Sequence, residues 1–156
     1  TIAMIARETG VDSTKINYVP FRGGGEAVAA ILGNNVTVGA SGYSEFQQYI
    51  ESGKMRAVAM ASPARQKGIN VPTLRELGIN VELGNWRGVY GAPGINDAQR
   101  KALTDAVLKA TKTKGWTEAL AKNNWTPAVM SGKEFDEFVD REFAALRATM
   151  VKAGML

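Results

Sequence analysis

The chain has 156 residues, of which 45% are hydrophobic and 22% charged, and its formal net charge is +4. It contains no cysteine and no histidine, which excludes disulfides, thiolate nucleophiles, histidine-dependent catalysis and ordinary zinc sites. The charges are interspersed rather than gathered in a basic stripe, and no stretch reaches the ~18 apolar residues of a membrane span, so neither nucleic-acid binding nor a transmembrane segment is expected.

The first half of the chain alternates short apolar segments with short helical ones. It opens on the end of a helix at residues 2–7, which Gly10 stops. Strands are predicted at residues 15–21, 36–41 and 55–62, with helices between them at 26–33 and 44–53. Strand, helix, strand, helix, strand predicts right-handed βαβ crossovers. The predicted fold class is therefore α/β, a mainly parallel sheet with flanking helices.

The middle of the chain contains a capped turn and then a long extended segment. Thr73 and Glu76 have the spacing of a capping box, and Gly78 stops the short element that follows. Residues 79–94 are rich in glycine and long for one strand of a compact sheet. We interpret them as a hinge or a crossing between two lobes.

The last third is predicted to be helical. Asn96 and Gln99 repeat the capping-box spacing ahead of one helix, and Ser131 with Glu134 repeats it ahead of another. One face of the last helix carries an apolar stripe at i, i+4, i+7 and i+11, formed by Val139, Phe143, Leu146 and Met150. Such a stripe is typical of core packing, so it indicates no function of its own.

The most distinctive local feature is FRGGGEA, which places three glycines between a predicted strand and a predicted helix. Glycine N–H groups at a helix start form an anion seat, and Arg22 adds a bidentate clamp for a carboxylate. The alternative is a plain turn with Arg22 in solvent, and the residue chemistry leaves both open. Glu26 counts against the seat unless it points away. The stretch matches neither the P-loop nor the dinucleotide fingerprint.

A second loop, GASGYSE, follows the next predicted strand. Ser41 and Ser44 supply hydroxyl groups and Gly42 permits close approach, although Ser44 also suits a helix cap. The carboxylates are scattered and no pair has the spacing for acid–base work. An α/β enzyme that holds an anionic substrate on the glycine loop is the alternative function, but the chain offers no histidine as its base.

Four stretches, which together cover almost the whole chain, carry a family resemblance: YVPFRGGGEAVAAILGNNVTVGASGYSEF, SGKMRAVAMASPARQ, VPTLRELGINVELGNWRGVYGAPG and EFDEFVDREFAALRATMVKAGM. They resemble the periplasmic solute-binding receptors of tripartite tricarboxylate transporters, also called Bug receptors. The most specific element is VPTLRELG after MASPAR. GGGEA with GASG and NWRGV looks like the citrate or tricarboxylate branch of that family.

The resemblance implies a two-lobed Venus-flytrap receptor with a mainly parallel α/β sheet in each lobe. It implies a periplasmic location, a di- or tricarboxylate such as citrate bound between the lobes, and membrane transporter subunits as partners. It implies no enzymatic activity, no cofactor and no metal. Carried over onto this chain, the implied ligand-binding residues are Arg22, Gly23, Gly24, Gly25, Ala40, Ser41, Gly42 and Tyr43. That favours the anion seat over the plain turn.

Members of that family are considerably longer than this chain, so the resemblance implies a C-terminal portion. Residues 1–84 would form most of the second, ligand-binding lobe, without its first elements. Residues 85–156 would form the inter-lobe crossing and the C-terminal helices that pack on the first lobe. Apolar surface on those helices would then be exposed, and homodimerisation through it is an expected consequence.

Overall fold

Helices account for nearly all the regular structure in the computed structural model, which describes residues 1–156. The chain divides into two compact units, residues 1–85 with 142–156, and residues 86–141. Six α-helices follow one another in the chain: α1 Ile2–Glu8, α2 Gly24–Leu32, α3 Tyr43–Glu51, α4 Asp97–Ala110, α5 Lys114–Asn123 and α6 Gly132–Lys152. Two 3₁₀ helices lie at Ser13–Lys15 and Arg75–Leu77.

Two helices of the first unit, α1 and α3, end where left-handed glycines follow them. Gly10, just after α1, has φ +75°, and Gly53, just after α3, has φ +72°, a conformation that glycine adopts without the steric cost of a side chain. The second 3₁₀ helix ends at Gly78, also left-handed. These local stop signals confirm the predicted ends of three elements.

The small core lies in the first unit. Its buried apolar residues are Ala6, Ala27, Val28, Ala30, Ile69, Val71, Leu74, Val81 and Ala153. Thr73 is the most deeply buried side chain, at 1% exposure. Its hydroxyl oxygen accepts a hydrogen bond from the Glu76 N–H at 3.2 Å, and its own N–H donates to Glu76 Oε2 at 2.7 Å. The capping box predicted from the spacing is therefore confirmed.

The predicted mainly parallel sheet is wrong. Residues 15–21, 36–41 and 55–62 form no strand, and the only β-pairing is an isolated parallel bridge between Met60 and Thr73. In that bridge the Met60 N–H donates to the Pro72 carbonyl and the Leu74 N–H donates to the Met60 carbonyl, both at 2.9 Å.

The reason is that a strand requires a hydrogen-bonded neighbour, which an apolar run cannot supply by itself. The extended segments here are not covered as buried strands would be. Val58 is 64% exposed, and Tyr18 and Val38 are more than half exposed.

The second unit contains α4, α5 and the first part of α6, which continues into the first unit. Residues 79–92, interpreted from the sequence as part of a hinge or inter-lobe crossing, contain no regular element. Trp86 packs edge-on against Phe135 and Phe138, with ring centroids 6.2 and 5.3 Å apart. Tyr90 also contacts Phe135, at 5.8 Å. These aromatic contacts hold Trp86 and Tyr90 against the first part of α6, within this unit.

The apolar stripe of α6 is largely exposed. Phe143 is 69% exposed, and Leu146 and Met150 are each more than one third exposed. The spacing places these side chains on one face, but nothing in the chain covers that face as a core would. Homodimerisation through this surface stays a prediction, as does the assignment of residues 1–84 and 85–156 to two lobes.

Candidate functional site

The three glycines of the first loop were predicted to precede the helix, but the helix begins among them. Gly23 is the N-cap of α2, in an extended conformation, whereas Gly24 and Gly25 are the first two helical residues. No side chain caps this helix, so its leading N–H groups keep the partial positive charge of a free helix start. Arg22 is exposed, and its backbone N–H donates to Glu26 Oε2 at 3.1 Å.

The second loop starts α3 in a similar way. Ala40 and Ser41 are exposed, Gly42 is the N-cap, and Tyr43 is the first helical residue and is half-buried. Ser44 is therefore inside the helix, and the capping role considered for it is wrong.

The carboxylate of Glu45, three residues after the N-cap, reaches back over this loop. Its Oε2 accepts a hydrogen bond from the Ser41 hydroxyl and another from the Gly42 N–H, the latter at 3.2 Å. An acidic side chain at this position satisfies N-terminal donors and opposes the positive end of the helix dipole. The Ser41 hydroxyl and the Gly42 N–H belong to residues predicted to bind a ligand carboxylate, and both are already bonded to the carboxylate of Glu45.

Glu45 also joins the two loops, because its side chain lies directly against Gly24. A Cβ added at Gly24 would be 2.5 Å from Glu45 Cδ and Oε1, and 2.9 Å from Glu45 Cβ. Gly24 is buried, and only glycine leaves room for this approach. Nothing lies within 4 Å of a Cβ built at Gly23 or Gly25, so the space beside these two glycines is open.

Asn85 completes the surroundings of the second loop. A Cβ at Gly42 would be 3.0 Å from Asn85 Nδ2, which places this amide at the start of α3. Sequence reasoning did not select Glu45 or Asn85 as site residues. A signal for Glu45 was present: a glycine three residues before a glutamate occurs in both loops, at Gly23 with Glu26 and at Gly42 with Glu45. Nothing in the local pattern pointed to Asn85.

Of the predicted ligand-binding residues, the structure brings Gly24, Ser41 and Gly42 together around Glu45. Arg22, Gly23, Gly25 and Ala40 are exposed beside them in sequence. The side chain of Arg22 forms no ion pair in the structure. No cluster of three or more acidic, histidine or cysteine residues has the arrangement of a metal site. None of the helices combines the length and apolarity needed to cross a bilayer.

A helix start with free N–H groups is a place where anions bind in proteins, and the start of α2 has this character. The profile of the tripartite tricarboxylate transporter family receptor, TctC, matches residues 1–155, and the chain belongs to this family. The family assignment made from the four sequence stretches is thus confirmed.

Relatives agree with this assignment. The chain is 27% identical, over 99% of its length, to the UPF0065 protein in the gbd 5′ region of Cupriavidus necator, and covers 46% of that protein. It is 29% identical, over 89% of its length, to the protein BugT of Bordetella pertussis, and covers 43% of it. The chain thus spans less than half the length of these relatives.

A solved structure is similar as well. The crystal structure of a TctC solute-binding protein from Polaromonas, without ligand, superposes with a TM-score of 0.64 at 30% sequence identity. The alignment covers 97% of this chain and 52% of that one. The structural relative is a solute-binding protein, and the matching family is one of receptors.

Proposed function

We propose that the whole protein is a periplasmic receptor that binds a small organic carboxylate and delivers it to the membrane subunits of a tripartite tricarboxylate transporter. Membership of the receptor family over residues 1–155 supports this proposal. The function is binding without turnover, and it requires no cofactor. The start of α2 and the loop before α3 are the part of the ligand site that this chain contributes.

One observation supports a carboxylate as the class of ligand. The Ser41 hydroxyl and the Gly42 N–H hold the carboxylate of Glu45, so this loop geometry accommodates a carboxylate. The uncapped start of α2 lies against the same side chain and leaves helix N–H groups available. A ligand carboxylate bound there accepts a hydrogen bond from the exposed Gly25, where the space is open, and the Arg22 guanidinium closes over it.

The test is calorimetric titration of the full-length protein with citrate and succinate, with each solution assayed for unchanged ligand afterwards. Substitution of Arg22 by Gln removes a charge-assisted hydrogen bond and is expected to weaken binding about tenfold or more. Arg56→Gln is the matched control, because Arg56 is an exposed arginine of the same unit outside the two loops.

Equal affinities of the two variants would contradict the role of Arg22. Failure of the wild-type protein to bind any carboxylate tested, or chemical conversion of the ligand, would contradict the proposed function itself.

A further inference from the structure

We infer that Glu45 is a specificity-determining residue, which limits the number of negative charges that a ligand can carry at the two loops. This inference rests on the proposed function. It begins from the position of the Glu45 carboxylate, bonded to Ser41 and Gly42 and packed on the backbone of Gly24. Any ligand group that reaches the start of α2 from this side approaches a fixed carboxylate.

The local charge differs in sign from that of the whole chain. Residues 16–50 contain one cation, Arg22, and two anions, Glu26 and Glu45, so their net charge is 1 − 2 = −1, whereas the chain as a whole is +4. Both glutamates are the third residue after a glycine N-cap, where they offset the positive end of the helix. The positive net charge of the chain is therefore carried by residues outside this segment.

This arrangement suits one ligand carboxylate and penalises further ones. The uncapped N–H groups of α2 and the Arg22 guanidinium supply donors and one positive charge for a single carboxylate. A second or third carboxylate of the same ligand placed beside these loops meets Glu45 without a compensating cation, and like charges at such separations repel. The ligand end that faces Glu45 is consequently neutral or a hydrogen-bond donor.

The Glu45 side chain is also held in place, which allows it to discriminate between ligands of different charge. Glu45 cannot withdraw freely, because two donors hold its Oε2 and the buried Gly24 backbone lies against its other atoms. Specificity by repulsion needs such a fixed charge, since a mobile side chain would swing away from an unfavourable ligand.

The experiment compares affinities for citrate, succinate and pyruvate, which have three, two and one carboxyl groups, in the full-length wild-type protein and in Glu45→Gln. This substitution removes the negative charge, but the amide oxygen of glutamine still accepts hydrogen bonds from Ser41 and Gly42. We expect the ratio of citrate to pyruvate affinity to rise about threefold or more in Glu45→Gln, and the rise to shrink at high salt.

Glu51→Gln is the control, because Glu51 ends the same helix and bonds only to Gln47 Nε2, away from the loops. It is expected to leave the ratio unchanged. Ser41→Ala provides a second test, since it removes one of the two bonds that hold Glu45 but leaves its charge, and the ratio should rise less than in Glu45→Gln.

Three results would overturn the inference. An unchanged or lower ratio in Glu45→Gln, with carboxylates still bound by the wild type, refutes the inference alone. An equal rise in Ser41→Ala would assign the effect to loop structure instead of charge. A wild-type protein that binds none of the three ligands would refute the proposed function and this inference together.

Discussion

Gly24 has a packing role, although the run of three glycines to which it belongs predicted ligand binding. The run of three glycines predicted backbone exposed to an anion, yet the buried middle glycine is required by the side chain of Glu45 from the next helix. Gly23 and Gly25 have open space beside them, so the three positions have distinct requirements. A prediction from composition treats them alike because it contains no information on which neighbour approaches each one.

Gly24→Ala is expected to destabilise the protein by about 1–3 kcal/mol, the range typical of overpacking. The added methyl group would overlap Glu45 Cδ and also Glu45 Cβ, so a rotamer change alone does not relieve the clash and α3 must shift. Gly25→Ala, one residue further along α2, meets no atom and should be neutral or stabilising by up to about 1 kcal/mol. Urea unfolding of the two variants measures the difference, and equal stabilities would contradict the packing role.

At the scale of elements, the helices follow from local signals. The capping box of α4 is present as its spacing predicted: the Asn96 side chain accepts from the Gln99 N–H and Gln99 Oε1 accepts from the Asn96 N–H, both at 2.9 Å. Helix starts and ends of this kind depend on residues three or four positions apart in the chain, so a local sequence pattern is enough to predict them. The start of α2 was predicted two residues late, because glycine propensity suggested a loop where the helix had already begun.

Asn96→Ala should cost about 1 kcal/mol of stability, since it leaves the Gln99 N–H without its acceptor. Asn96→Asp keeps an acceptor oxygen at the N-cap and is expected to retain wild-type stability. Thermal unfolding followed by circular dichroism compares the two variants. A loss of stability in both would show that the amide group, rather than the cap, is what α4 requires.

The whole molecule contains no histidine, so the side chains whose protonation lowers its stability in acid are carboxyl groups. Hydrogen bonding from the Thr73 backbone N–H, and then from Arg65, lowers the pKa of Glu76 below its usual 4.5. The Thr14 side chain and backbone lower the pKa of Asp12 in the same direction. In both cases the unfolded chain binds the proton more readily than the folded one, so stability falls as pH decreases.

We expect the free energy of unfolding to fall below about pH 4.5, as these two carboxyl groups protonate. In Glu76→Gln the fall should be shallower, because one of the two contributing groups no longer titrates. Urea unfolding at a series of pH values makes the comparison. A variant with the same decline as the wild type would exclude Glu76 as a source of the acid sensitivity.

By itself the sequence determined the capping boxes at Thr73 and Asn96, the glycine stops at Gly10, Gly53 and Gly78, the family, and the two loops that carry the candidate site. All of these reside in residues close together along the chain or in motifs that can be read directly. Only the tertiary structure decided that residues 15–21, 36–41 and 55–62 form no sheet and that Glu45 occupies the donors of Ser41 and Gly42. The reason is that strand pairing and side-chain approach are contacts between distant residues, and a local pattern specifies which residues are able to make a contact but not which of them meet.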